Sequence, residues 1–255
     1  PSLRCQRPSS SNLFTPSARQ SRRTGLLHGG GWVLGDLDSH DDICRRLAGG
    51  AGITVVSVDY RLAPETQFPG PLDDCYTATA WIANNAEELD IDAMKIAVGG
   101  DSAGGNLAAA VALKARDETW PNICFQLLVY PVTDARFDTA SYRDNAKGYL
   151  LTRDAMMWFW DHYVPNPSSR TLAYASPLRA DSLAMLPPAL VLTAEYDPLR
   201  DEGEAYANAL RSAGVEVTQT RYQGLIHGFF GMWDTVAASR EAMRQATLAL
   251  RHALS

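Results

Sequence analysis

The stretch KIAVGGDSAGGN, at positions 95–106, decides the fold. Its apolar start predicts a buried strand that ends at Gly100, and the Ala-rich continuation predicts a helix at 103–116. A Gly-x-Ser-x-Gly motif centred on Ser102 joins the two. In such a sharp turn the residues two before and two after the serine nearly touch, so only glycine fits there, as it does at Gly100 and Gly104. The serine hydroxyl then projects above the end of the sheet.

Strands and helices alternate along most of the remaining sequence. Strands that are apolar along their whole length are typical of a parallel sheet covered by helices on both faces. The predicted strands lie at 53–60, 122–132, 188–196 and 215–222, and the predicted helices at 71–89, 199–213 and 237–254. We therefore expect an α/β domain over residues 26–255, with a mostly parallel central sheet flanked by helices.

One segment, residues 135–187, interrupts the alternation because it contains no convincing strand. Met156, Phe159, Trp160 and Tyr163 recur within it at helical spacing. The plainer interpretation is a helix packed on the body of the domain. A helical insertion between two strands can also cover a site at the strand ends, and on that basis we expect a cap at 135–187.

The composition limits the classes of partner. The formal net charge is −6, the pI is near 5.4 and no run of Lys or Arg occurs, which argues against a nucleic-acid-binding protein. No apolar run approaches the roughly 20 residues that span a bilayer. The four cysteines, Cys5, Cys44, Cys75 and Cys124, are far apart and lack metal-ligand spacing. We expect no metal, no nucleic acid, no membrane insertion, reduced thiols, a cytoplasmic location and a small-molecule partner.

A nucleophilic serine needs a neighbouring base, and the base needs a group that orients it. Of the five histidines, His227 is best placed, because GLIHGFF follows the last predicted strand and can reach over the strand ends. The chain order Ser, Asp or Glu, His favours Asp197, which directly follows the strand ALVLTAEY. Its rivals are Glu195, still within the strand pattern, and Asp201, a turn into the next helix.

The stretch LLHGGGWVLG, at 26–35, contains three consecutive glycines. Acyl transfer passes through a tetrahedral oxyanion, and bare backbone can place N–H donors beside it. We expect Gly30 and Gly31 to be donors, with the N–H of Ala103 at the start of its helix as the third. The alternative is a glycine turn without a ligand. A phosphate loop is disfavoured because neither G-x-x-x-x-G-K-[ST] nor G-x-G-x-x-G occurs.

The motifs HGGGW, DYRLAPE, GDSAGGN, EYDPLRDEG and HGF follow one another from about residue 26 onward. This series resembles the hormone-sensitive-lipase family of α/β-hydrolase esterases, also called bacterial esterase family IV. The resemblance implies an α/β-hydrolase fold with a helical cap and a serine carboxylesterase for short- to medium-chain acyl esters, without metal or organic cofactor. The site residues that it implies are the catalytic triad Ser102, Asp197 and His227 and the oxyanion-hole residues Gly30, Gly31 and Ala103.

The resemblance also implies an architectural role for His28 and the YRLAPE segment, which hold the glycine loop. The front of the chain departs from the family, whose members usually carry cap helices and two strands before HGGG. Residues 1–25 are rich in Ser, Arg and Pro, as in a loosely attached segment, and only Leu26 and Leu27 resemble the end of a strand. We expect residues 1–25 to be an atypical or truncated N-terminal segment, which bears on the lid of the acyl pocket.

The motifs are compatible with several other functions. Amide or lactone hydrolysis uses the same machinery as ester hydrolysis. A catalytically impaired ligand-binding homologue is another reading, because the plant gibberellin receptors resemble this family but have lost the catalytic histidine; the presence of His227 argues against it. Relatives often form homodimers through an edge strand, so a homodimer is expected by analogy.

Overall fold

A seven-stranded sheet forms the centre of the computed structural model, which describes residues 11–14 and 23–255. The strands are β1 (Ser11–Phe14), β2 (Arg23–Leu27), β3 (Thr54–Val58), β4 (Ile96–Asp101), β5 (Ile123–Val129), β6 (Ala189–Tyr196) and β7 (Val217–Ile226). Their spatial order is β1-β3-β2-β4-β5-β6-β7, and each neighbouring pair is parallel except β1 with β3. The expected mostly parallel sheet is confirmed.

Helices cover both faces of this sheet. They are α1 (Asp41–Ala51), α2 (Gly70–Asn84), α3 (Ala103–Asp117), α4 (Ala140–Asp144), α5 (Arg153–Tyr163), α6 (Arg200–Ser212) and α7 (Ala237–Ala253). One face carries α2, α3 and α6, with Leu72, Leu107 and Leu210 buried beneath them, and the other carries α1 and α7 around Leu47 and Leu250. Burial on both sides explains why β3 consists entirely of buried residues. The α/β class and the flanking helices are confirmed.

Strand β1 corrects one expectation about the front of the chain. Residues 11–14 pair antiparallel with β3, and β2 begins at Arg23, so the expected lack of strand character before residue 26 is wrong at these positions. A short edge strand takes its stability from pairing with its neighbour, which local sequence propensity does not record. The rest of the 1–25 segment, at 1–10 and 15–22, lies outside the described residues.

Helix α1 was also absent from the predicted elements, although its sequence carries helix signals. Asp41 and Asp42 occupy its first turn, where the helix dipole favours negative charge, and each pairs with an arginine four residues later. Gly52, with φ of 70°, ends the helix in the left-handed conformation.

Between β5 and β6 the described chain forms no strand, as expected. The segment contains α4, α5 and two short 3₁₀ turns, Pro167–Thr171 and Pro177–Arg179. Helix α5 begins after Thr152, whose hydroxyl accepts the N–H of Ala155 at 3.0 Å. Its residues Trp160 and Tyr163 are fully buried, so the helical period predicted for this segment is confirmed.

Candidate active site

Ser102 lies at the turn from β4 into α3. Its backbone has φ of 55° and ψ of −120°, a conformation that residues other than glycine rarely adopt. Its N–H donates to the carbonyl of Val129 at 2.9 Å, which fixes the turn against β5. A Cβ on Gly100 would overlap the backbone of Gly104, and a Cβ on Gly104 would overlap the carbonyl oxygen of Leu27. The predicted need for glycine on both sides of the serine is confirmed.

His227 follows β7 and lies between Ser102 and Asp197. Its Nε2 is 3.0 Å from Ser102 Oγ, and its Nδ1 is 2.7 Å from Asp197 Oδ2. All three side chains are buried, and Asp197 Oδ1 accepts the N–H of Leu199 at 2.9 Å. A carboxylate at Nδ1 keeps the proton on that nitrogen, so the lone pair of Nε2 faces the serine hydroxyl.

The two rival carboxylates, Glu195 and Asp201, form hydrogen bonds with other residues and not with His227. Glu195 accepts the N–H of Gly224 at 2.7 Å, and Asp201 accepts the N–H of Ser141 at 2.7 Å. The structure therefore brings to His227 the acid that chain order favoured, and neither of the two rivals.

The glycine loop approaches Ser102 along the neighbouring strand, since Leu27 of β2 pairs with Gly100 of β4. Gly30 and Gly31 have φ of 113° and 61°. A Cβ on Gly30 would overlap the backbone of Leu34, and a Cβ on Gly31 would overlap the ring of Phe159. Glycine is thus required at both positions, because φ is positive and because a Cβ would overlap neighbouring atoms.

The N–H groups of this loop differ in their engagement. Gly29 donates to Asp101 Oδ1 at 3.0 Å. Within residues 23–255, the N–H groups of Gly30, Gly31 and Ala103 donate to no protein acceptor. These are the three positions predicted from the sequence as oxyanion donors.

Buried neighbours hold the loop in place. His28 Nδ1 donates to the carbonyl of Gly29 at 2.8 Å, and the hydroxyl of Tyr60 donates to the carbonyl of His28 at 2.7 Å. The N–H of Ala63 donates to the carbonyl of Trp32 at 2.8 Å. Burial lowers the pKa of His28, which keeps its ring neutral. These contacts agree with the architectural role expected for His28 and the YRLAPE segment.

Two further polar residues at the site escaped the sequence analysis. His40 lies with its Nε2 at 3.2 Å from Asp101 Oδ1 and at 3.3 Å from the backbone N of Gly29. Asp101 is the residue before Ser102, and this adjacency was the one signal that could have drawn attention to it. Burial opposes the charge of Asp101, but nearby histidines, His40 foremost, outweigh it and hold the pKa of the carboxyl below its ordinary value.

No group of three or more His, Cys, Asp or Glu residues in the described part of the chain could hold a metal ion. Cys44, Cys75 and Cys124 are free thiols, and Cys5 lies outside the described residues. Among the helices of residues 23–255, none is both long and apolar enough to cross a membrane.

Residues 26–231 match the model of a family described as having the alpha/beta hydrolase fold. Together with the strand order and the buried Ser, His and Asp side chains, this match defines the class. The chain belongs to the α/β-hydrolase family, of the hormone-sensitive-lipase type that its motifs resemble.

Particular relatives are similar over most of this chain. Carboxylesterase NlhH of Mycobacterium tuberculosis H37Rv is 46% identical over 231 residues, which cover 89% of this chain and 72% of NlhH. Ethyl acetate hydrolase of Pseudomonas putida is 41% identical over 231 residues, with 89% and 72% of the two chains covered. The crystal structure of a thermostable esterase from Pseudomonas putida ECU1011 superposes with a TM-score of 0.93 at 47% identity, covering 96% of this chain and 79% of that one.

Proposed function

We propose that this chain is a serine carboxylesterase that hydrolyses short- to medium-chain acyl esters. The observation that carries the proposal is the contact of His227 with Ser102 Oγ on one side, at 3.0 Å, and with Asp197 Oδ2 on the other, at 2.7 Å. The names of the relatives, a carboxylesterase and an ethyl acetate hydrolase, support an ester as the substrate.

In the proposed reaction His227 Nε2 accepts the hydroxyl proton of Ser102 as Oγ attacks the ester carbonyl carbon. Asp197 keeps the imidazole in the required tautomer and stabilises its cationic form. The tetrahedral intermediate collapses, the C–O bond to the alcohol breaks, and His227 gives the proton to the leaving alkoxide. Water then attacks the acyl-enzyme by the same route, which releases the acid and restores the serine.

Gly30, Gly31 and Ala103 are proposed to supply the N–H donors for the oxyanion. Their support is the absence of a protein acceptor for these three groups within residues 23–255, whereas Gly29 is already bonded to Asp101. Donors without a partner in the resting site gain one when the carbonyl oxygen becomes negative, so they favour the transition state over the substrate.

The domain organisation is proposed as a hydrolase domain at 26–255 with a cap insertion at 135–187. Phe159 of α5 lies against Gly31, and a Cβ on Gly228 would stand 3.4 Å from Leu150 Cδ2. These contacts put the insertion beside both the glycine loop and the loop of His227. A cap in this position limits the space for the acyl or alcohol group.

The test is turnover of a p-nitrophenyl ester series from acetate to palmitate, by the wild type and by Ser102→Ala. Serine-dependent turnover that peaks at short or medium chains is the expected result. An equally active Ser102→Ala protein, or a folded wild type without ester turnover, contradicts the proposal. Matched amide and lactone substrates in the same assay separate esterase from amidase or lactonase activity.

We also propose a homodimer and a cytoplasmic location, neither of which rests on the geometry of the site. The homodimer rests on analogy with relatives, and light scattering coupled to size-exclusion chromatography tests it. The location rests on the free thiols of Cys44, Cys75 and Cys124, which suit a reducing compartment, and cell fractionation tests it.

A further inference from the structure

Asp101 connects the nucleophile turn to the glycine loop. It is bonded through its own carbonyl carbon to Ser102, and its Oδ1 accepts the N–H of Gly29 at 3.0 Å. The approach is close, because a Cβ on Gly29 would stand 2.5 Å from Asp101 Oδ2. One side chain therefore touches the residue that precedes the two proposed loop donors.

His40 is the partner of this carboxylate. Its Nε2 lies 3.2 Å from Asp101 Oδ1, and the two side chains retain only 14% and 15% of their surface exposed. On its other side, His40 Nδ1 is 3.1 Å from Ser39 Oγ, whose own proton goes to the carbonyl of Asp36 at 2.8 Å. Nε2 also lies 3.3 Å from the backbone N of Gly29, so His40, Asp101 and Gly29 form one polar cluster.

The surroundings of Asp101 favour an ion pair with His40. His28, with its ring centroid 5.5 Å from that of His40, is kept neutral by its burial. The other titratable groups that interact with the carboxylate are His227, which is engaged with Asp197, and the side chains of Tyr130, Tyr60 and Cys44, whose pKa values burial and Asp101 raise. Burial opposes the charge of His40, but the neighbouring Asp101 outweighs it and raises the pKa of the imidazole above its ordinary value, so each group favours the charged form of the other.

We propose that Asp101 and His40 are positioning residues, which hold the glycine loop against the nucleophile turn so that Gly30 and Gly31 stay aimed at the oxyanion. This inference rests on the proposed function. Adjacent Cα atoms are about 3.8 Å apart, so fixing the amide of Gly29 restricts the next amide to a small region. Oxyanion donors act only at about 2.7–3.1 Å from the developing charge, so a small loop displacement weakens them.

The test compares His40→Ala, His40→Gln and Asp101→Asn with His252→Ala, a substitution of an exposed histidine near the end of α7. Two quantities are measured: kcat and KM on one p-nitrophenyl ester, and the inhibition constant of a trifluoromethyl ketone that forms a tetrahedral adduct with a serine. The ketone reports on the oxyanion hole, and kcat/KM reports on stabilisation of the transition state for acylation.

His40→Ala is expected to lower kcat by about tenfold or more and to weaken the ketone by a similar factor, with KM within about twofold. His40→Gln retains an N–H donor toward Asp101 and is expected to recover most of the loss. Asp101→Asn removes the charge, and the double variant with His40→Ala is expected to lose no more than the worse single variant, because both act through one contact. His252→Ala is expected to match the wild type.

Folded His40→Ala and Asp101→Asn proteins with wild-type kcat and ketone inhibition overturn the inference. Equal losses in the Gln and Ala variants of His40 also overturn it, because a hydrogen-bond donor would then be irrelevant. If His40→Ala does not fold, Asp101→Asn, which keeps an acceptor for the N–H of Gly29 but loses the charge that binds His40, is expected to lower kcat and weaken the ketone by a smaller factor, and wild-type values for it overturn the inference. Turnover that persists in Ser102→Ala contradicts the proposed function itself, so the two failures are distinct.

Discussion

The indole of Trp32 lies parallel to the ring of Tyr163, with centroids 4.3 Å apart and 9° between the planes. Trp32 ends the HGGGW motif and Tyr163 ends α5, so this stack joins the glycine loop to the proposed cap. Both side chains are fully buried. The loop that carries the proposed donors thus continues directly from β2 and packs against α5.

Substitutions of Tyr163 separate this stacking from hydrogen bonding. Its hydroxyl is buried without a hydrogen-bond partner in the described part of the chain. Tyr163→Phe is therefore expected to leave the free energy of unfolding unchanged or to raise it by up to about 1 kcal/mol. Tyr163→Ala is expected to lower it by about 3 kcal/mol or more through the cavity. Urea unfolding measures both, and a Phe variant as unstable as the Ala variant would contradict the role of the stack.

Glycine-to-alanine substitutions test the nucleophile turn. Gly104→Ala places its methyl group on the carbonyl of Leu27, so we expect a loss of about 3 kcal/mol or more in the free energy of unfolding and loss of turnover. Gly49, in α1, has nothing within 4 Å of its added Cβ. Gly49→Ala is expected to stabilise the protein by about 0.5–1 kcal/mol with unchanged turnover. Similar behaviour of the two variants in thermal unfolding would refute the steric argument.

The orienting acid is tested by amide substitutions at the two competing carboxylates. Asp197→Asn favours the wrong tautomer of His227, and we expect kcat to fall by about 10⁴ with the fold intact. Glu195→Gln still accepts the N–H of Gly224 through its amide oxygen and is expected to retain nearly all activity. The comparison is made by steady-state kinetics; a larger loss in the Glu195 variant would reassign the acid.

Glu202 gives a pH-dependent prediction. Burial raises the pKa of this carboxyl well above its ordinary 4.5, against the opposing effect of the Thr133 and Asp134 N–H groups that bond to it. The folded state therefore binds the proton of Glu202 more tightly than the unfolded state, so the contribution of Glu202 to wild-type stability falls as pH rises above 4.5 toward the folded pKa. Glu202→Gln keeps the acceptor without the titration.

We expect Glu202→Gln to be more stable than the wild type at pH 8 and the difference to shrink toward pH 4.5. Glu202→Leu leaves the N–H groups of Thr133 and Asp134 without their acceptor and is expected to be less stable at every pH. Thermal unfolding over that pH range measures both. A Gln variant whose advantage does not change with pH would show that the carboxyl is not the titrating group.

The fold was predictable wherever a local pattern determines it. The strand before Ser102, the helix after it and the glycines around it follow from short-range sterics, and the structure has them within one or two residues of the predicted ends. The helix in the insertion was also predictable, because the spacing of its apolar residues lies within one short segment. The segment 11–14 was not predictable in this way, because its strand conformation depends on pairing with β3.

The candidate site likewise contains residues that the sequence predicted and residues that it did not. Asp197 and His227 were found because chain order and strand ends restrict the choice, and the distances then agree with that choice. His40 was missed because its partner, Asp101, is remote along the chain, and a contact of that kind leaves no periodic signal. The order of the motifs along the chain identified Asp197 and His227, which hydrophobic periodicity alone does not identify.

The strand order described above also determines when activity can appear during refolding. Ser102 follows β4 in the middle of the sheet, whereas Asp197 and His227 follow β6 and the edge strand β7. The glycine loop, moreover, comes from β2, which must pair with β4 across a long intervening segment. Such distant pairings form slowly compared with helices. We therefore expect recovery of enzymatic turnover after dilution from denaturant to lag behind recovery of helical circular dichroism, because the site is complete only when the strands that precede its residues have paired.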